Sequence, residues 1–296
     1  TGSTVDVAVE ALTPGTLTAR DLEWVMTDPP ITMWRAYTEH GSCLRLRYAL
    51  EPEWAEFVID ERGDSVWVSR ADGIAFKEVA ELLLGPVFSC VLAHRGFTCL
   101  HAATVNVAGR VVAIAGSSGA GKSTTALGLV KHGGALIADD VAVLSQDHSA
   151  PAVRSGAPRL RVRPDSAASL VGSYAALDPM WIHEERRPQK RYVHVDESTA
   201  VADNTTWPLD VVYLLTPDDE CATPTLTPVR PTEALSRLMA HRHMATALDA
   251  AAHRRDFQKI AQVAESVPVR ELTRPEDLAS APDTVAAILS DLEQLG

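Results

Sequence analysis

The sequence predicts an α/β fold built on a phosphate-binding P-loop, with a smaller β-rich portion ahead of it. Three observations predict this. Residues 111–115, Val-Val-Ala-Ile-Ala, form an apolar strand that runs directly into Gly116-Ser-Ser-Gly-Ala-Gly-Lys-Ser123. A helical stretch over 124–131 follows and stops at His132-Gly-Gly134. A second strand of buried character, Ala135-Leu-Ile-Ala138, then ends in Asp139-Asp140. Gly-rich turns arise by chance, but a strand before and a helix after give this one the context that phosphate binding requires.

Each residue type in the loop answers a need of a bound triphosphate. Gly116, Gly119 and Gly121 permit the backbone angles that turn successive N–H groups inward as an anion nest. The helix beginning near Lys122 directs its positive dipole end at the same phosphates. Lys122 has the reach for the β- and γ-phosphates, and the Ser123 hydroxyl suits Mg²⁺. The run Gly116, Ser117, Ser118, Gly119, Ala120, Gly121, Lys122, Ser123 and Thr124 is therefore assigned to the nucleotide.

The elements along the chain follow from local patterns. In the β-rich portion, 1–95, residues 43–49 alternate Leu and Tyr with Arg, and 56–59 and 65–68 are short β-favouring runs. Glu61-Arg-Gly-Asp64 between the last two reads as a hairpin turn. Residues 75–93 carry apolar side chains at helical spacing, with Gly85-Pro86 as a break. From 96 to 296 the pattern is that of the P-loop domain. Residues 100–107 and 110–115 read as two strands around an Ala-Gly turn. The polar, Pro-containing stretch 147–158 reads as a loop, and 209–215 as another buried strand. Charge density peaks over 183–191, which reads as a solvated loop. Most of 232–262 and 282–295 is helical in pattern.

Bulk properties exclude several function classes. The 296 residues carry a formal net charge of −12, against a nucleic-acid or anionic-membrane partner, both of which need clustered Lys and Arg. The four cysteines, Cys43, Cys90, Cys99 and Cys221, show no Cys-x-x-Cys pair, so buried thiols in a reducing compartment are expected rather than zinc or disulfides. With neither a bilayer-length apolar run nor a basic-then-apolar leader, a cytoplasmic location is expected.

Beyond the loop, two features bear on chemistry. A strand-end carboxylate beside a P-loop hydroxyl holds Mg²⁺, which assigns Ser123 and Asp139 to the metal. Asp140 is then either a second reactive carboxylate, able to accept a proton from an attacking hydroxyl, or a turn residue. Neighbouring residues on a strand face opposite ways, so both carboxylates reach one site only if the strand has ended and turned. His101, on the strand before the P-loop strand, is either a third site group or a structural histidine.

The combination of Leu100-His101-Ala-Ala-Thr-Val-Asn-Val, Ala115-Gly-Ser-Ser-Gly-Ala-Gly-Lys-Ser and His132-Gly-Gly-Ala-Leu-Ile-Ala-Asp-Asp140 resembles the catalytic domain of HPr kinase/phosphorylase. It looks more like the HPr-kinase-related enzymes of peptide natural-product clusters, including lasso-peptide kinases. The likeness is firm over about 98–145. It implies a P-loop core of the HPr kinase and phosphoenolpyruvate carboxykinase type, MgATP as phosphoryl donor, a serine-type hydroxyl as acceptor and homo-oligomeric assembly. It also gives His101, Lys122, Ser123, Asp139 and Asp140 site roles. The chain departs from the family where HPr kinases carry a Glu-x-Arg-Gly-Leu-Gly loop, since Arg159-Leu-Arg-Val-Arg163 stands there. HPr itself is therefore not the expected acceptor.

The expected enzyme is a kinase of a Ser/Thr-type hydroxyl on a peptide or protein, with a peptide natural-product precursor preferred. Two other readings are a kinase of a small hydroxylated metabolite and a nucleotide-dependent switch. In-line phosphoryl transfer needs cations on the acceptor side, for which Arg159, Arg161, Lys190 and Arg191 are available.

Overall fold

A computed structural model of the chain describes residues 7–11, 21–28, 31–38, 41–50, 52–146, 150–157, 159–181, 189–195 and 205–295. The backbone divides into two compact units. One holds Thr1–Phe97, Trp181–Arg187 and Met244–Arg255; the other holds Thr98–Met180, Pro188–His243 and Asp256–Gly296. Most of the loop expected over 183–191 lies outside the described residues.

The first unit is a six-stranded sheet followed by helix. Its strands are β1 (Ala8–Ala11), β2 (Asp21–Asp28), β3 (Ile31–Thr38), β4 (Gly41–Leu50), β5 (Glu53–Asp60) and β6 (Ser65–Arg70). They lie in the order β1-β6-β5-β4-β3-β2, antiparallel except that β1 runs parallel to β6. The strands predicted over 43–49, 56–59 and 65–68 fall within β4, β5 and β6. At the predicted turn Gly63 takes φ +69°, and Asp60 Oδ1 accepts from the Ser65 amide at 2.7 Å. The expected break at Gly85-Pro86 is different in kind. Helix α1 (Phe76–Leu82) passes through one π-helical turn (Leu83–Val87) into α2 (Phe88–His94). The wider turn absorbs a proline that an α-helical ladder would reject.

The second unit is organised around a mixed six-stranded sheet. Its first strands are β7 (Thr98–Leu100), β8 (Ala102–Val107), β9 (Arg110–Gly116), β10 (Ala135–Ala138), β11 (Ala142–Leu144), β12 (Ala152–Arg154) and β13 (Arg159–Val162). The rest are β14 (Asp178–Pro179), β15 (Arg191–His194), β16 (Thr206–Pro208), β17 (Val211–Pro217), β18 (Thr225–Pro228) and β19 (Val269–Arg274). The central order is β10-β8-β9-β17-β19-β18, with β9, β17 and β19 mutually parallel. Smaller sheets run β16-β12-β11-β7 and β13-β15-β14. Helices α3 (Lys122–Lys131), α4 (Pro164–Leu170), α5 (Pro231–Ala240), α6 (Ala250–Ser266) and α7 (Ala281–Gln294) complete the chain, α6 contributing to both units.

Alternation along β9 divides the core between two faces of the central sheet. Val112 and Ile114 pack with Leu127 and Leu129 of α3 and Val285 and Ile288 of α7. Val111, Ala113 and Ala115 face the other way, with Leu238 of α5 and Ile260 and Val263 of α6. A strand covered on both faces reads as an unbroken apolar run, which is why 111–115 lacks polar alternation.

Two sequence expectations change in this unit. The single strand read over 100–107 is two, split at His101: β7 pairs with β11, while β8 pairs with β9 and β10. The stretch 147–158, read as a loop, contains β12, whose Val153 is buried against β11 and β16. The cysteine expectation also needs amendment. Cys43, Cys90 and Cys99 are buried, and burial drives the Cys90 thiol up to about 12, but Cys221 is half-exposed. Among the described residues no helix is long and apolar enough to cross a membrane.

The stop after α3 has a defined geometry. Gly134 N–H donates to Leu129 O at 3.0 Å and Gly133 N–H to Val130 O at 3.1 Å, with Gly133 at φ +86°. This is a Schellman closure, and it requires a left-handed residue at position 133. Gly133→Ala should cost about 1–2 kcal/mol, read as a lowered melting temperature; an unchanged one would refute the account. On the same sheet, Glu271 of β19 accepts from Arg237 of α5 at 2.7 Å and from Thr216 of β17 at 2.9 Å. The hydrogen bond from Arg237 holds its carboxyl below the usual range. Because the folded state binds the proton less tightly, this stability is present at neutral pH and lost as pH falls through the depressed value. Glu271→Gln should therefore melt earlier than wild type at pH 7, and the gap should close in acid.

Candidate active site

The site forms where the parallel strands end. β9 delivers the P-loop at its carboxyl end, and ligands in α/β sheets gather at that edge. Gly119 and Gly121 take φ +88° and +99°, the left-handed region that turns amides inward. Gly116 serves otherwise. Its backbone is not left-handed, and a Cβ there would lie 3.1 Å from Leu215 O and 3.2 Å from Ala120 Cβ, so glycine is needed for space.

An open-sided cleft of about 230 Å³ lies over this loop. Of the predicted nucleotide residues, Ser118, Gly119, Gly121, Lys122, Ser123 and Thr124 line it. Gly116, Ser117 and Ala120 do not, and Ala120 turns its methyl into the core. The carbonyls of Gly116 and Ser117 each accept from Lys122 Nζ at 2.9 Å. Lys122 must give these up to reach a phosphate, which its flexible stem allows. Thr124 Oγ1 lies 2.9 Å from Ser166 Oγ of α4.

The two aspartates sit on a strand that has ended. β10 stops at Ala138, and Asp140 adopts φ +72°, rare for a residue with a Cβ. The chain thereby escapes strand alternation, and both carboxylates come to the P-loop. Asp139 Oδ1 accepts from Ser123 Oγ at 2.8 Å, and its Oδ2 from the Arg161 amide at 2.9 Å. Asp140 is bonded by the Arg161 guanidinium through Nη1. His101 Nδ1 lies 3.1 Å from Asp140 O and 3.3 Å from its Oδ1.

The charges shift one another in a consistent way. Burial and the neighbouring Asp140 charge raise the Asp139 carboxyl, against the bonds from Arg161 and Ser123. Burial would also raise Asp140, but Arg161, then His101, His243 and Lys190, outweigh it and hold it below the usual carboxylate range. Burial lowers both His101 and Lys122, with the Asp140 charge opposing in each case. Asp140 is thus an anion held ready, and His101 is predominantly neutral at pH 7.

The four predicted acceptor-side cations separate. Arg161 and Lys190 line the cleft. Arg159 does not; it lies over the Tyr192 ring, 4.4 Å from the centroid. Arg191 does not either, since its Nη1 donates to the carbonyls of Tyr174, Ala175 and Leu177 and its guanidinium stacks on Tyr174. Alternation along β13 sends 159, 161 and 163 to one face, but Arg159 is diverted by its aromatic neighbour across the strand pair. Arg163 joins the cleft lining in its place.

Sequence reasoning also missed His243. The 241–243 segment clips to the β7–β8 break: His243 N–H donates to Cys99 O at 2.8 Å, and His101 N–H to His241 O at 2.7 Å. The His243 ring lies 5.6 Å from that of His101, and burial lowers its pKa to about 4. The run His241-Arg-His243 was the available signal, 100 or more residues from the motifs it joins. Two donor sets could hold a cation. Ser123 and Asp139 offer converging hard oxygens of the kind Mg²⁺ takes. His101, His243 and Asp140 bring donor atoms within 4.8 Å of one another, a set suited to softer metals, although the Arg161 guanidinium already holds Asp140 Oδ2.

Comparisons with known proteins match the segment that carries the P-loop. The family model for the HPr Serine kinase C-terminal domain matches residues 92–160. HPr kinase/phosphorylase of Clostridium botulinum strain Eklund 17B is 38% identical over 99 residues, 33% of this chain and 31% of that protein. The Lactobacillus acidophilus HPr kinase/phosphorylase is 51% identical over 51 residues, 17% of this chain and 16% of that one. The match to the Clostridium botulinum protein thus spans about a third of its length. The solved Hpr(Ser) kinase/phosphatase of Coxiella burnetii aligns with 67% of this chain and 90% of its own, at 14% identity and a TM-score of 0.36.

If Arg161 is what holds the Asp140 carboxyl low, Arg161→Met should raise its titration midpoint. Carboxyl-carbon NMR across acid pH would report this, and an unmoved midpoint would exclude the pairing as the cause.

Proposed function

We propose that the chain is an HPr-kinase-related, ATP-dependent kinase. It moves the γ-phosphoryl group to a Ser/Thr-type hydroxyl of a peptide or protein, by preference a peptide natural-product precursor. One observation carries this reading. The phosphate loop, Ser123 and the anionic Asp140 with its cations line a single cleft, and Asp139 is hydrogen-bonded to Ser123 behind that lining.

The roles follow from the geometry. Amides of Ser118, Gly119 and Gly121 together with Lys122 hold the phosphates, and the dipole of α3 adds to their field. Ser123 and Asp139 would hold Mg²⁺, which neutralises charge across the β- and γ-phosphates when bound. Asp140 orients the acceptor hydroxyl. Its depressed pKa makes it a weak base, sufficient for a loose transfer in which the hydroxyl proton leaves late. The new bond joins phosphorus to the acceptor oxygen as the bond to the β–γ bridging oxygen breaks, ADP departs, and the proton passes to Asp140. Arg161 and Lys190 stabilise charge on the transferring group.

Incubation with MgATP and candidate precursor peptides, read by mass spectrometry for added phosphate, tests the reading. Lys122→Ala should lower turnover by about 10²–10³-fold, and Asp140→Asn by about 10²–10⁴-fold. Full activity in Lys122→Ala would overturn the scheme. Nucleotide hydrolysis with no phosphorylated peptide or metabolite would favour the switch reading instead.

A further inference from the structure

Arg274 lies outside both the segment matched by the family model and every motif read from the sequence. It is the last residue of β19. Because β19 runs parallel to β17 and β17 parallel to β9, their carboxyl ends emerge on one edge of the sheet. That topology brings Arg274 to the P-loop from 152 residues beyond Lys122.

Its guanidinium sits directly on the loop. Nη2 donates to Ala120 O at 2.7 Å and Nη1 to Pro275 O at 2.6 Å. A Cβ on Gly121 would fall 2.5 Å from Nη2 and 3.2 Å from Cζ. Arg274 lines the same cleft as Ser118, Gly119 and Lys122. Two further facts mark it as unfinished. Its Nε is buried with no hydrogen-bond partner, and no carboxylate among the described residues forms an ion pair with it. The guanidinium hydrogen-bonds only carbonyls, and Glu276 acts on its charge at a distance without pairing with it, so its fork stays available to an anion. Burial lowers its pKa, with the Glu276 charge opposing.

We infer that Arg274 is a phosphate-binding residue supplied in cis by the C-terminal part of the chain, gripping the oligophosphate of the bound nucleotide. In this structure it holds the Ala120 carbonyl; with nucleotide present, its planar fork turns to phosphate oxygens that match it better. The assignment also orients the ligand. His101, Asp140, Arg161 and Lys190 surround the acceptor end, so the nucleoside extends toward the Arg274 side, where Glu276, Leu278 and Thr284 continue the lining. The inference rests on the cleft being a nucleoside triphosphate site.

Calorimetric titration with two probes, MgATP and magnesium tripolyphosphate, separates the possibilities. Wild type should bind both. Arg274→Met should weaken both at least tenfold, and Arg274→Lys, which keeps charge without the fork, at least threefold. A merely structural clamp predicts the reverse pattern: a lower melting temperature for ligand-free Arg274→Met, with both affinities within twofold of wild type. That result would overturn the inference. If Arg274→Met does not fold, Arg274→Lys decides, and affinities equal to wild type would overturn it equally. Failure of the underlying reading looks different, because wild type would then bind neither probe and Lys122→Ala would change nothing.

Discussion

Asp139 divides its two oxygens between the hydroxyl of Ser123 and the amide of Arg161, and this division joins three separate elements. Ser123 lies in the first turn of α3, Asp139 follows β10, and Arg161 belongs to β13. The carboxylate is held by hydrogen bonds while burial and Asp140 raise its pKa. A buried charge tolerated this way is expensive, and such groups persist where function requires them. The same arrangement delivers the Arg161 guanidinium to Asp140. One side chain thus sets the geometry of the other carboxylate and of the cation beside it.

A second constraint is the break at His101. In two residues the chain leaves the sheet containing β7 for the sheet containing β8, so His101 pairs in neither ladder. Its amide would be orphaned without the 241–243 segment, whose His241 carbonyl accepts it. That repair brings His243 to His101. The histidine pair is therefore a by-product of backbone accounting as much as of side-chain chemistry. Asp140 pays for its place similarly, through a left-handed backbone that no glycine relieves.

Global and local charge differ in sign. The chain is acidic by 12 charges, yet Lys122, Arg161, Arg163, Lys190 and Arg274 converge on one cleft. Net charge governs solubility and nonspecific partners, whereas a small focused field governs an anionic ligand. The acidic composition argues against a polyanion as partner and is fully compatible with a triphosphate.

The sequence by itself determined the P-loop, the helix behind it and the acidic strand end. Each of these is encoded within a few consecutive residues: an apolar run, glycines at fixed spacing, a Gly-Gly stop. The likeness to HPr kinases was legible for the same reason, since three motifs lie within one short stretch. Only the tertiary structure decided which arginines serve the cleft. Arg159, Arg161 and Arg163 are equivalent by strand alternation, and a tyrosine on the neighbouring strand removes the first of them. Arg191 is likewise claimed by carbonyls of a turn preceding its strand. His243 and Arg274 reach the site through strand pairing across more than a hundred residues. Local sequence records what a segment can form, while the partners of a charged side chain depend on which distant strands the core brings alongside.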